Sequence, residues 1–417
     1  MTEGWINDSI HAPLGGNLDW SCCCRSDKQS YFEDHLMSQL IVKIREITEV
    51  LPHPNADRLE ILKIDHWQTI YNKDAFKAGD QCVYFPPDTV FPEDVAEYLG
   101  ILNYTSPLGK VNGIRPPGVR VRAIRLRGEE SFGLVITIDA LDNVMQMFPV
   151  EEDSDEPPAF LEVGSDVAFL FGVTKYTPPE PCRDGDAASP HPRFHAYTGI
   201  ENIRNFGNII QEGEEVTFTE KLHGMNARVG KIKTVDDETG DVVWEYMCGS
   251  HGVRRKEFDA KEVRSQFWNI LTDPVKALLD ELCNNENNVV LFGEIFGPGV
   301  QDMQYGLKGK IFRVFDLSVN MKYLGYEEKT TAFNAHSVIP VPILYRGEFS
   351  WDKVNEFTSG PTTMCDSDDA GKFKGREGIV ITPVVERFDV EVGGDGRVIL
   401  KSISADYHAR KGGTEFQ

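Results

Sequence analysis

The sequence lacks any visible membrane anchor: no apolar run approaches the roughly 20 residues a spanning helix needs, and the opening MTEGWINDSI has no basic-then-apolar signal pattern. It is also short of cations. The 43 lysines and arginines stand against 66 acids, a formal net charge of −23, which argues against non-specific nucleic-acid binding by the surface as a whole. Of eight cysteines, Cys82, Cys182, Cys248, Cys283 and Cys365 stand alone and only Cys22, Cys23 and Cys24 cluster. With no CxxC pair and no Cys/His spacing, a zinc cage is not expected and the thiols should be reduced. These absences point to a cytoplasmic protein without a membrane partner.

A chain of 417 residues exceeds what one core usually organises. Residues 1–36 show no sustained period and read as an extension that the core does not need. From Met37 the signals are those of short strands divided by turn chemistry: LIVKIREITEV, then HPNADRL, then LEILKI, KAGDQCVYFPPDTVF and IRPPGVRVRAIRLRGEESFGLVI. Such a pattern predicts a small β-barrel over residues 37–175, with EEDSDEPP (151–158) as an acidic loop and VGSDVAFLFGVTKY as one short closing helix. The proline-rich stretch 176–193 reads as a linker. Residues 194–417 alternate strand signatures (EEVTFTEKLHG, DVVWEYMCGS, NNVVLFGEIFG, KIFRVFDLSV, GRVILKSIS) with the helical patterns VRSQFWNILTDPVKALLDELC and WDKVNEFTS, so the expected class is α+β.

One basic stripe interrupts the acidic background. Arg115, Arg120, Arg122, Arg125 and Arg127 fall in one short segment with no acid among them. Their alternation slips between Arg122 and Arg125, so they either occupy both faces of a strand or flank a bulge. Phosphate contact and a charged edge strand that resists aggregation are both consistent with this pattern.

The segment TEKLHGMN (219–226) holds a lysine, Lys221, three residues before Gly224. That spacing alone decides nothing, because it recurs at Lys110, Lys322 and Lys372. In EEVTFTEKLHG, however, Thr217, Thr219 and Lys221 share one strand face, and the glycine lets the backbone turn close to a ligand. Lys221 is therefore expected at the mouth of a cleft. Glu294 and Glu377 lie in otherwise apolar strands, LFGE and EGIVI, and a buried acid needs a metal, a sugar hydroxyl or a salt bridge.

FHAYTGIENIRNF followed by TEKLHGMN resembles the opening of RNA ligases of the lysine-adenylating nucleotidyltransferase superfamily. Later segments follow in family order: Glu294 in FGEIFGPG, Phe315 and Asp316 in RVFDLSV, Glu377 in REGIVITP and Lys401 in ILKSIS. HPNADRLEI resembles the tRNA-binding type of OB fold, and an OB domain ahead of the catalytic one resembles the nick-sealing RNA ligases of family five. The resemblance implies an OB barrel followed by a nucleotidyltransferase (ATP-grasp-like ligase) domain of antiparallel sheets with flanking helices. It further implies ATP, with Mg2+ or Mn2+, and an RNA substrate with 3′-OH and 5′-phosphate ends, held at a nick in a duplex by a monomeric enzyme.

By the same resemblance Lys221 is the nucleophile that becomes lysyl-AMP. Glu294 holds the ribose, Phe315 stacks on adenine, Glu377 serves a metal ion, and Glu220, Gly224 and Asn226 complete the nucleotide site. Lys401, with Arg397 on the same strand face, faces the α-phosphate, while Arg120, Arg122, Arg125 and Arg127 meet the RNA. An attacking amine must be neutral, and with an ordinary pKa of about 10.4 it needs roughly 4 kcal/mol from neighbouring positive charge or desolvation near neutral pH. Two departures stand out. Ile399 occupies a position where these ligases commonly carry lysine, leaving Arg397 to compensate, and His251 follows Ser250 where an arginine is usual, leaving Arg254 or Arg255 to serve. A capping-type guanylyltransferase and a non-catalytic RNA-binding protein are the alternatives the sequence leaves open.

Overall fold

A computed structural model describes residues 39–109, 115–147, 161–177, 185–236, 239–365 and 374–410. The leader, the acidic loop 151–158 and the centre of the linker lie outside the described residues.

The N-terminal barrel is built around the strand Gln81–Phe85, which pairs antiparallel with Lys43–Glu46 on one side and Leu134–Thr137 on the other. Both of its faces are covered. Val83 and Phe85 enter one apolar cluster with Val42, Ile44 and Phe91, whereas Cys82 and Tyr84 enter another with Leu62, Trp67 and Phe132, as the two-residue period of a strand requires. A meander of Glu49–Pro52, Leu59–Ile64 and Trp67–Asn72 and a four-stranded sheet that includes Thr89–Phe91, Val119–Arg120 and Thr174–Lys175 complete it. VGSDVAFLFGVTKY does not form the expected closing helix. Gly172, in the left-handed region at φ 57°, ends a single 3-10 turn at Ala168–Phe171, and the chain continues as the edge strand Thr174–Lys175.

The rest of the chain folds as two sheets with helices outside them. A six-stranded antiparallel sheet runs in the order Arg254–Arg255, Val242–Ser250, Met225–Val235, Val289–Phe296, Ile311–Val319, Lys322–Tyr323. A five-stranded sheet runs Glu201–Asn202, Leu400–Ile403, Gly378–Pro383, Glu215–Lys221, Ile343–Glu348, and only its first pair is parallel. The expected helical stretch 263–283 splits, because Pro274 favours a helix start: a 3-10 turn at Gln266–Ile270 precedes the helix Asp273–Cys283. That helix buries Val275, Leu278, Leu279 and Cys283, one helical stripe, against Val229, Leu291 and Leu317 of the six-stranded sheet. Trp351–Thr358 is helical as expected, its N-terminus capped by the Ser350 hydroxyl, which accepts from the Lys353 amide at 3.2 Å. The eleven-residue strand Met225–Val235 and the helix Tyr326–Ala335 had no counterpart in the sequence reading.

The chain passes from one sheet to the other at residues 221–225. Lys221 ends a strand of the five-stranded sheet and Met225 opens a strand of the six-stranded one. The cleft between the sheets begins at this crossover.

Candidate active site

A cleft of about 1490 Å³ lies over this crossover, and its lining includes Thr217, Thr219, Lys221, Glu294, Phe315, Glu377 and Lys401. Segments far apart in sequence thus converge. Lys221 stands opposite Gly378 on the neighbouring strand, and its Nζ donates to Glu377 Oε1 at 2.6 Å. Its side chain is 27% exposed, open to the cleft and shielded elsewhere. Burial pulls the amine's pKa down, but the carboxylates of Glu377 and Glu294 more than offset this and hold it above the ordinary lysine value. Beside these acids Lys221 is therefore a cation. Among the cations nearby, Arg410 also acts to lower that value, and the two acids outweigh it.

Gly224 is required by close approach rather than by its dihedral angles: a Cβ there would stand 2.3 Å from the Ile295 carbonyl oxygen and 2.8 Å from the Phe296 Cβ. Gln301 donates to the Gly224 carbonyl and ties the turn from the other side. Asn226 faces Glu294 in register across the strand pair. Burial, reinforced by Glu377, pushes the Glu294 carboxyl up to about 8. Lys401 stands opposite Val380, and burial, then the charges of Lys175 and Lys221, push its amine down to about 8.

Phe315 reaches the cleft by a register slip. Phe292 pairs with Asp316 and Gly293 with Val314, so Phe315 is the extra residue of a β-bulge, a device that re-aims a side chain. Its ring meets Tyr197 edge-on at 4.9 Å.

Several expected roles are changed. The two oxygens of Glu220 accept from the Thr362 hydroxyl at 2.6 Å and from the Thr363 amide and hydroxyl at 2.9 and 2.5 Å, so Glu220 anchors the 362–363 segment. Arg397 does not face a phosphate. It is fully buried in a network with Asp316 (2.7 Å), Glu386 (2.6 Å) and Tyr197, its guanidinium 3.7 Å over the Tyr323 ring, because a buried arginine next to two acids is satisfied where it stands. Ile399 belongs to the aromatic floor with Tyr197 and Phe292. Arg255 is buried against Asp186 at 2.8 Å, and Arg254 turns to Glu245 and the Ser189 carbonyl; neither takes the place expected of it. His251 does line the cleft, but burial and the Arg228 charge push it down to about 4, so the ring is neutral.

The arginine stripe does not form one face. Arg120 is buried, paired with Asp88 at 2.5 Å and stacked 3.7 Å over Tyr176, whereas Arg122, Arg125 and Arg127 are exposed. Arg125 pairs with Glu130 and Asp406. The barrel nevertheless reaches the cleft: Asp88, Arg120, Lys175 and Tyr176 line it together with Lys221. Sequence reasoning missed Lys175 and Arg228, since nothing local separates a cleft lysine or arginine from a surface one.

The cleft's oxygens suit a hard cation. Glu377 Oε2 and Asn226 Oδ1 are buried with no hydrogen-bond partner, and carboxylate and amide oxygens are the ligands magnesium and manganese prefer. Among the described residues no group of three His, Cys, Asp or Glu forms a complete cage.

Residues 214–403 match the RNA ligase family model and residues 41–138 match an OB-fold domain model. No curated protein sequence matches the chain. Among solved structures, the chain is similar to the RNA ligase of Naegleria gruberi. A mutant of that enzyme with ATP and Mn is 25% identical with a TM-score of 0.64, covering 88% of this chain and 98% of that one. Another mutant with ATP and Mn is 26% identical with a TM-score of 0.63, covering 89% and 98%. The same ligase with PPi is 26% identical with a TM-score of 0.63, covering 88% and 98%. Residues 214–403 are thus an RNA ligase domain of the covalent nucleotidyltransferase type, preceded at residues 41–138 by an OB-fold domain, and the chain is an RNA-ligating enzyme.

Proposed function

We propose that the enzyme seals RNA in three ATP-dependent steps, with Lys221 as the nucleophile. The amine attacks the α-phosphorus of ATP, the bond to pyrophosphate breaks, and lysyl-AMP forms. AMP then passes to an RNA 5′-phosphate, and an adjacent 3′-hydroxyl displaces it to close the strand. The observation that carries this reading is the convergence of Lys221, Glu294, Glu377, Phe315 and Lys401 on one cleft. That mutants of the similar Naegleria gruberi ligase have been solved with ATP and Mn supports the choice of nucleotide and metal.

Each residue's task follows from its surroundings. Glu377 keeps the Lys221 amine hydrogen-bonded and in place before attack. A magnesium or manganese ion held through Glu377, with Asn226 nearby, would add positive charge beside the nucleotide phosphates. Burial lowers the amine's pKa, and a cation bound at Glu377 would offset the charge that most holds its proton, so that Lys221 releases the proton to solvent and attacks as a neutral amine. Lys401 contributes a cation to the α-phosphate, Glu294 accepts from the ribose, Phe315 offers its ring to adenine, and Gly224 and Asn226 shape the turn beside them.

The substrate we favour is a nicked duplex with 3′-OH and 5′-phosphate ends, its backbone met by the exposed Arg122 and Arg127 of the barrel and by Arg125 in exchange for its acidic partners. We assign 37–175 to the barrel, 176–193 to a linker and 194–417 to the catalytic unit. We take the enzyme to act as a monomer in the cytoplasm. Incubation with α-labelled ATP and magnesium should label the wild type and leave Lys221→Ala unlabelled. Equal label in both would reject the assignment, and failure to join a nicked RNA duplex while labelling persists would reject the substrate.

A further inference from the structure

The turn after Lys221 is gripped by side chains that no step of the reaction uses. His223 is buried, and its backbone amide donates to the Tyr305 hydroxyl at 2.7 Å. Both ring nitrogens are engaged, Nε2 with Asp302 Oδ1 at 2.8 Å and Nδ1 with the Tyr407 hydroxyl at 2.8 Å. An ionised carboxylate can only accept, so Nε2–H donates to Asp302 and Nδ1 accepts from Tyr407, an assignment that follows from the hydrogen bonds. Arg410 closes the group: its Nε donates to Asp302 Oδ2 at 3.0 Å, its Nη1 donates to the Tyr407 carbonyl at 2.8 Å, and its guanidinium lies 3.6 Å over the Tyr407 ring.

Tyr407 and Arg410 come from the helix Ala405–His408 and the residues just after it, which follow directly on the strand that carries Lys401. The same helix touches the OB-fold domain, through Asp406 to Arg125 at 2.7 Å and through the His408 ring edge-on to Phe132 at 6.4 Å. His223 Nδ1 lies 3.9 Å from Glu377 Oε2. One small element therefore meets the OB-fold domain on one side and the catalytic turn on the other.

We propose that Asp302, Tyr407 and Arg410 are positioning residues: a clasp that fixes the His223 ring and thereby sets the Lys221 amine and the Glu377 carboxylate for attack on the α-phosphorus. The proposal rests on Lys221 being the nucleophile. In-line attack is sensitive to displacements of an ångström or less, and a two-residue lever on a turn that cannot be padded at Gly224 transmits such displacements directly. The clasp does not touch the groups assigned to adenine, ribose or α-phosphate. Its loss should therefore slow the chemistry and leave ATP binding alone.

The test is single-turnover formation of protein-bound AMP across a range of ATP concentrations, in the full-length wild type, Tyr407→Phe, Asp302→Ala, Asp302→Asn and Lys221→Ala. Tyr407→Phe and Asp302→Ala should lower the maximal rate about tenfold to a hundredfold with the half-saturating ATP concentration unchanged, and Asp302→Asn, which keeps an acceptor for Nε2–H, should recover most of the rate. Thermal melting and titration of active sites correct each rate for the folded fraction. Wild-type rates after that correction, or a defect confined to half-saturation, overturn the clasp. Equal labelling of Lys221→Ala and the wild type, or no labelling of either, overturns the nucleophile and the clasp together.

Discussion

At the scale of the residue, the site is governed by a contest between burial and charge. Lys221 and Lys401 are both partly buried amines in the cleft, yet their pKa values move in opposite directions, because Lys221 has the acids Glu377 and Glu294 beside it and Lys401 has two amines. With its amine pushed down to about 8, Lys401 is a cation below that pH and loses its proton above it. ATP binding should weaken as the pH rises from about 7 to about 9, and Lys401→Arg, charged throughout, should flatten that dependence in equilibrium titrations. Glu377→Gln removes the nearest charge that keeps Lys221 protonated, so the amine should react with an amine-selective reagent at a lower pH than in the wild type. The sequence placed Lys221 at a strand end on a polar face, and the fold agrees. It also called for an uncharged attacking amine beside bound triphosphate, but could not show that Glu377 is the group that holds its proton, because that distance lies in no spacing along the chain.

Individual elements are positioned by exceptions to their regular geometry. The bulge at Phe315 and the close packing at Gly224 each break a local rule next to the cleft, and each aims a group at it. Gly224→Ala should destabilise the protein by about 2 kcal/mol or more in denaturant titrations, since the added methyl meets backbone rather than a flexible side chain. Thr362→Val removes one hydrogen bond to a carboxylate that is almost wholly buried, and a loss of about 1–3 kcal/mol is expected from the same measurement. Strand signatures were legible because apolar and β-branched runs announce them. The strand Met225–Val235 was not, because MNARVGKIKTV mixes basic and apolar residues and its pairing partners supply the order that local pattern lacks.

At the scale of the whole molecule, the OB-fold domain is keyed to the ligase domain by several contacts of different kinds. The His66 ring stacks on Trp351 at 3.8 Å, the Trp67 indole donates to Asn205 at 3.0 Å, and Arg204 donates to the His66 carbonyl. Trp351→Ala should loosen this docking and split a single thermal transition into two, which calorimetry would resolve. Deeper in the ligase domain, Arg397→Met leaves the Asp316 charge with one fewer partner in a place closed to water. A loss of about 3–5 kcal/mol is expected, far more than for an exposed pair such as Lys353 and Glu356.

The sequence by itself determined the class of protein, the order of its two domains and the lysine at a strand end, because strand period, turn chemistry and the order of motifs are written along the chain. Only the tertiary structure decided which charges are neighbours. Arg397 and Lys401 share a strand face in sequence, yet one is locked to Asp316 and Glu386 while the other opens on the cleft. Arg120 and Arg122 lie two residues apart, yet one is buried against Asp88 and the other is exposed. Coulomb interactions and desolvation depend on distances through space and on access to water, and both come into being only when remote segments pack.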